Sequence, residues 1–241
     1  MLIKTRGIIF RTKKYAETSV IADIYTEAKG LRSYIINGVR TQKSRVNPSL
    51  LQVLSLVDLV VYHRDDKTLT RIKEIQPAAV FQSIPFNVQK GAVGLFMAEV
   101  ARKTASESEE NTALFDFLFD QIQYLDTTED SVANLHLHFL AQLTAFLGFS
   151  PSGAAGVDTP FFDMQEGIFV ATTPLHPQFL DEELSQYFSR FLEIPREQSH
   201  KIKMNRPVRK RLLESMLDFY ALHIDNFPRI NAHEILEVVM Q

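Results

Sequence analysis

The hydrophobic pattern of this chain changes period once, near Pro77, and that change restricts the fold to two successive kinds of structure. Before it, apolar residues come in short β-branched runs. Residues 3–11 mix isoleucines with basic residues, 19–26 carry Val20, Ile21, Ile24 and Tyr25, and 31–37 carry Tyr34, Ile35 and Ile36. Residues 54–63 are rich in Leu and Val, and 69–75 follow after Asp65-Asp66-Lys67. These runs predict five strands. Glu27-Ala28-Lys29-Gly30 is short enough to join the second and third as a hairpin, with Gly30 free to take a positive φ. Asp65-Asp66-Lys67 should do the same for the fourth and fifth. Five strands, with a polar insert and a helical turn near Pro48 after the third, suit a small closed barrel of the OB-fold kind. An SH3-like barrel is the competing arrangement.

Beyond Pro77 the apolar residues recur at helical spacing. Val88, Val93, Phe96, Met97 and Val100 mark a helix over 85–104, Leu114 to Leu125 one over 112–126, and Leu135 to Leu147 one over 131–149. The last stops at Gly148, with Pro151 behind it. Residues 150–156 are small and glycine-rich. Residues 161–170 read as a hairpin turning at Glu166-Gly167. Helices over 177–192, 207–224 and 232–240 complete the chain. The fold class is therefore α+β: an N-terminal five-stranded barrel over 1–80, then a helical domain over 81–241 with a small hairpin inserted near 150–177.

Charge divides at the same place. The chain carries a net −3, but residues 1–80 hold 14 Lys/Arg against 7 Asp/Glu, and the remainder holds 12 against 22. Such a split points to a barrel that faces a polyanion. There is no cysteine, which removes disulfides and thiolate metal sites and fits a reducing, cytoplasmic setting. No window approaches the length of a membrane span, and the N-terminus lacks a signal-peptide core, so no membrane is expected.

Signatures of catalysis do not emerge. No phosphate loop ends in Lys-Ser/Thr, no Gly-x-Ser-x-Gly elbow occurs, and Gly91-Ala92-Val93-Gly94 falls inside a helix. His136 and His138 are spaced i, i+2 and point about 200° apart on a helix, so they cannot share an ion. One is expected on the buried side and the other nearer solvent. No cofactor, no metal and no enzymatic activity are expected.

Binding features are stronger. Arg6, Arg11, Lys13, Lys14, Arg32, Arg40, Lys43 and Arg45 interleave with Phe10, Tyr15 and Tyr34 in the barrel. Cations can follow a phosphate backbone while aromatic faces stack on bases. For Phe10 and Tyr34 a place in the core is an equal reading. Residues 38–45 hold three cations in six positions with almost no apolar anchor. A second basic cluster opens the helix at 207: Arg206, Arg209 and Lys210 share one face, with Lys201 and Lys203 just before. Cations at a helix N-terminus oppose the macrodipole, which suits a spot that receives an anion; a solvated turn with no ligand is an equal reading.

These residues bring the sequence close to a known family. Thr5-Arg6-Gly7-Ile8-Ile9-Phe10, Tyr15-Ala16-Glu17-Thr18-Ser19 and Thr26-Glu27-Ala28-Lys29-Gly30 resemble the opening blocks of the bacterial RecO family of DNA repair proteins. Ile36-Asn37-Gly38-Val39-Arg40, Lys43-Ser44-Arg45 and Leu69-Thr70-Arg71-Ile72-Lys73-Glu74 continue the likeness, and Phe146-Leu147-Gly148-Phe149-Ser150-Pro151 resembles the end of the family's central helix. The resemblance implies an OB-fold followed by a helical domain. It implies binding of single- and double-stranded DNA, strand annealing, and work with RecR and single-stranded-DNA-binding protein (SSB) that helps load RecA in DNA repair and recombination by the RecF pathway, in the cytoplasm on the nucleoid. It further implies that the helical domain takes the acidic C-terminal tail of SSB; Lys203, Arg206, Arg209 and Lys210 are the candidates for a partner or anion site, receiving either that tail or DNA phosphate. Many members carry a four-cysteine zinc site after the Gly-x-x-Pro segment. Here that region is a degenerate ribbon without cysteine, and packing of Phe161, Phe162, Ile168 and Phe169 is expected in place of metal. The rival reading is a protein-interaction adaptor whose barrel binds an acidic protein rather than DNA.

Overall fold

A computed structural model describes residues 1–39, 46–63, 69–105 and 110–240. The chain forms two compact units, Met1–Thr127 and Thr128–Gln241. The change from strands to helices falls near the expected 80/81 boundary, but the first compact unit continues through two helices beyond it.

Five strands build the first unit: β1 (Leu2–Lys14), β2 (Val20–Thr26), β3 (Gly30–Ile36), β4 (Leu56–Tyr62) and β5 (Leu69–Pro77). They close into a barrel in the order β1-β2-β3-β5-β4, with β4 returning to β1. Only β3 and β5 run parallel. That order is the OB-fold, and it excludes the SH3-like alternative. β1 is long because it serves two neighbours. Leu2–Ile8 pair with β4, Gly7–Lys14 pair with β2, and a register shift between Ile9 and Arg11 turns the strand from one to the other. The turn into β3 places Gly30 at φ 59°, as its composition required. A 3-10 turn at Pro48–Leu51 lies between β3 and β4, capped by the Asn47 side chain, which accepts from Ser49 N. The turn expected at Asp65-Asp66-Lys67 lies outside the described residues. Ile9, Ala22, Ile24, Ile36, Val57 and Leu59 fill the barrel.

Two helices complete this unit, α1 (Val88–Thr104) and α2 (Thr112–Thr127). α1 meets the barrel through Gly94, where a Cβ would stand 2.4 Å from Leu54 Cδ1. Leu54 itself is buried and has φ 76°. The entry to α1 is fixed by Asp126 at the end of α2. Its carboxylate accepts from the backbone N–H of Gln82 (2.8 Å), Ser83 (2.9 Å) and Ile84 (2.9 Å). Buried Lys90 donates to Ser83 Oγ and to the Asp126 carbonyl.

In the second unit, α3 (Leu135–Leu147) is the central helix. Around it lie a small sheet, β6 (Phe161–Asp163), β7 (Ile168–Val170) and β8 (Phe179–Leu180), and the helices α4 (Glu182–Glu193), α5 (Arg206–His223) and α6 (Ala232–Val239). Because α3 is buried on every face from Leu135 to Ala141, both His136 and His138 are buried, at 2% and 4% exposure, and neither is nearer solvent as expected. His138 Nε2 donates to the Ile194 carbonyl, and burial holds the His136 ring neutral, its pKa lowered to about 3. The hairpin turns on Asp163, whose carboxylate accepts from Gln165 N and Glu166 N.

In the region of the expected hairpin, rings pack together. Phe162 lies 4.8 Å from Phe169, 4.9 Å from Phe188 and 5.3 Å from Phe219, centroid to centroid. Strand alternation leaves Phe161 only half-buried and turns Ile168 outward, so Phe188 of α4 and Phe219 of α5 complete the packing expected of those two side chains. The donor set does not fit a thiolate-held zinc, since the chain has no cysteine. Among the described residues, no cluster of three or more His, Asp or Glu is placed to hold an ion.

Candidate nucleic-acid interface

Register decides which barrel cations meet. On the outer face one cross-strand row runs Arg11, Asp23, Ser33, Leu69, and the next runs Lys13, Ile21, Ile35, Arg71. Arg11 is fixed in its row, because its guanidinium donates to Asp23 Oδ2 at 2.7 Å while Ser33 Oγ donates to Oδ1 at 2.7 Å. Asp23 is therefore a buried carboxylate with both oxygens engaged. It orients the Arg11 fork and adds little free negative charge to the surface.

These rows form one wall of a groove of 520 Å³. Arg11, Lys13 and Arg32 line it from the barrel, and Arg102 and Lys103 from the last turn of α1. Sequence reasoning missed the last two. In the sequence they read as ordinary complements to a helix C-terminus, and only the packing of α1 on the barrel brings them to the strands. Lys103 donates to Glu99 at 2.6 Å.

Other expected contacts separate from this group. Tyr34 is 1% exposed and points into the barrel between Ala22 and Ile36, since β3 alternates and Ser33 and Ile35 take the outer face. It offers no ring face to a base. Phe10 is also buried, stacked on Tyr25. Arg6 is drawn into internal pairing: Nε and Nη2 donate to both oxygens of Glu27, and Nη2 donates again to Asp116 on α2. The Arg6 guanidinium also lies 5.0 Å from the Phe115 ring centroid. It ties barrel to helix, with Glu27 as the strongest influence holding it charged. Lys14 is exposed at the end of β1, outside the groove lining. Arg40, Lys43 and Arg45 lie outside the described residues.

In the second unit, Arg206, Arg209 and Lys210 do converge, on a recess of 30 Å³ shared with His136, Leu236 and Glu237. Their anion comes from the chain itself. Arg206 donates to the Glu237 carbonyl at 2.8 Å, and Lys210 pairs with the Glu237 carboxylate at 2.8 Å. Glu237 lies in the last turn of α6, where unpaired carbonyls concentrate negative potential. Arg209 is half-buried, donating to Asn134 Oδ1 and the Met204 carbonyl, and burial lowers its pKa. Lys203 is exposed and does not line the recess. α6 thus pairs with this face, a contact that no local spacing foretold, while Arg206 and Lys210 stay exposed.

Comparison with known proteins agrees with the barrel-then-helices plan. The family described as "Recombination protein O N terminal" matches residues 1–81, and "Recombination protein O C terminal" matches residues 85–230. A DNA repair protein RecO from Phocaeicola vulgatus is 35% identical over 237 residues, covering 98% of each chain. Those from Bacteroides fragilis and Flavobacterium psychrophilum are 34% and 32% identical over 238 and 241 residues, covering 98% and 99% of each chain. A closed barrel with a basic groove, a helical second unit and matches along nearly the whole sequence converge on one assignment: this chain belongs to the RecO family of DNA repair and recombination proteins.

Proposed function

We propose that the chain acts by binding rather than by covalent chemistry, as a recombination mediator. In this reading it holds single- and double-stranded DNA, promotes annealing of complementary strands, and with RecR helps load RecA onto SSB-coated DNA in the cytoplasm. The observation that carries the single-strand part of the reading is the meeting of Arg11, Lys13 and Arg32 in one groove of the barrel. Phosphate neutralised by such cations releases counterions, so affinity for a single strand should fall with salt at a slope of about −0.7 per phosphate contacted. Replacing Arg11, Lys13 and Arg32 together by Gln should flatten the slope by about 2. A wild-type protein that fails to shift a labelled oligonucleotide at low salt would favour the adaptor that binds an acidic protein instead.

The basic spot on α5 supports a partner site in the same scheme. There Glu237 stands where a carboxylate of the SSB tail would sit, against Lys210 and Arg206. Glu237→Gln should tighten tail-peptide binding and Lys210→Glu should weaken it. Equal affinity in both variants would remove the site.

A further inference from the structure

We infer that Arg102 is a phosphate contact that closes the groove from the α1 side and makes it selective for single-stranded over double-stranded DNA. The inference rests on the DNA-binding reading above and extends it to a residue outside the barrel.

The first reason is charge. Within the groove, Arg11 is matched by Asp23, and Lys103 by Glu99. Arg102 and Lys13 have no ion-pair or hydrogen-bond partner among the described residues. Two unmatched cations on facing walls repel each other weakly across water, and a phosphodiester between them would turn that repulsion into two attractions. Arg102 sits at the C-terminal end of α1, where the helix dipole already favours a cation, so the charge is held there at no loss to the helix.

The second reason is the floor. Ile21, Leu31 and Leu69 line the groove beside Asp23, Ser33 and the cations. A surface that sets apolar side chains among cations fits a polymer that presents phosphate and an uncovered base face together. A single strand does so, whereas a duplex keeps its base faces stacked inside. With Tyr34 and Phe10 both in the core, the floor has no aromatic platform there, so it should accept bases with little sequence preference. The size agrees: 520 Å³ is the scale of a small-ligand site, room for a short run of one strand.

The test uses the full-length protein and fluorescence anisotropy. One probe is a labelled oligothymidylate of about 16 nucleotides; the other is a hairpin-closed duplex of the same length. Arg102→Gln should weaken single-strand binding roughly fivefold at low salt and reduce the salt slope by about 0.7. The single-strand to duplex affinity ratio should shrink by a similar factor. Arg102→Lys should recover most of the slope, since a phosphate contact needs charge more than a guanidinium fork. Arg229→Gln, an equal charge change outside the groove, should leave slope and ratio unaltered. If Arg102→Gln matches wild type in slope and ratio while the Arg11/Lys13/Arg32 variant loses its slope, the inference fails and the DNA-binding reading survives. If wild type shows no salt-dependent DNA binding, or the triple variant keeps the full slope, both fail.

Discussion

Removal of the Asp126 carboxylate should loosen the joint that sets α1 against the barrel. The carboxylate accepts three backbone hydrogen bonds, from Gln82, Ser83 and Ile84. Bonds to a charged acceptor contribute about 1.5–3 kcal/mol each when sheltered. Only Ile84 is buried, and Gln82 and Ser83 can turn to water. Asp126→Ala should therefore lose about 2 kcal/mol at Ile84 and about 1 kcal/mol at each of the others at most, or about 3–4 kcal/mol in all. Asp126→Asn keeps an oxygen for Ser83 and Ile84 but turns an NH2 toward Gln82, and should lose about half as much. Urea unfolding followed by far-UV circular dichroism reads this as a midpoint drop of about 1.5–2 M for Ala, taking a slope of about 2 kcal/mol/M. Amide exchange along α1 assigns the loss to the first unit. The pH dependence gives a second check. Burial pushes the Asp126 carboxyl up, but the N–H groups of Ile84, Gln82 and Ser83 together draw it below its ordinary value. A depressed carboxyl stabilises above its unfolded pKa of about 3.9 and loses that contribution as pH falls through the folded value. The gap between wild type and Asn should thus be level from pH 7 to 5 and close below about pH 4. An Ala variant within about 0.5 kcal/mol of wild type would refute the reasoning, because that is the ordinary range of a surface change.

Two other outcomes follow from contacts in the cores. Gly94→Ala should gain about 1 kcal/mol of helix propensity yet lose about 1–3 by overpacking, because the new Cβ meets Leu54 Cδ1; a double-mutant cycle with Leu54→Ala should show coupling, and simple additivity would count against the notch. His136 is neutral when folded, with its pKa depressed to about 3, so the unfolded chain takes up its proton first. Stability of the second unit should then be full above about pH 6.5 and fall by up to about 1.4 kcal/mol per pH unit below it. His136→Leu should flatten that fall between pH 6.5 and 5 in thermal melts, and an unchanged profile would show that another group titrates there.

Much of this fold could be read from residue order, and the exceptions share a cause. Strands β1 to β5 and the helices announced themselves through periods of two and 3.6, and Gly30 through its turn. Strand β8 did not, since two residues carry no period and exist as a strand only by pairing with β6. The shift between Ile9 and Arg11 is likewise set by two partners pulling on one strand. At the groove, Arg11, Lys13 and Arg32 were legible as basic strand residues. Their meeting with Arg102 was not, because it depends on a helix some ninety residues on in the chain packing into place through Gly94 and Asp126. Tyr34 shows the converse. Its type suited stacking, and only the parity of β3 sent it inward. Arg6 and Arg206 looked like open cations because their partners, Asp116 and Glu237, lie far along the sequence.

The ring cluster around Phe162 has a consequence in temperature. Coordination bonds to an ion hold a ribbon together by enthalpy and yield to a chelator. Rings that exclude water hold it by a force that fades on cooling and grows on gentle warming. The β6–β7–β8 segment should therefore be indifferent to metal starvation and to thiol oxidants, and its weakness should lie at the cold end of the range. There the opening of Phe162 from Phe188 and Phe219 would be the first sign of failure.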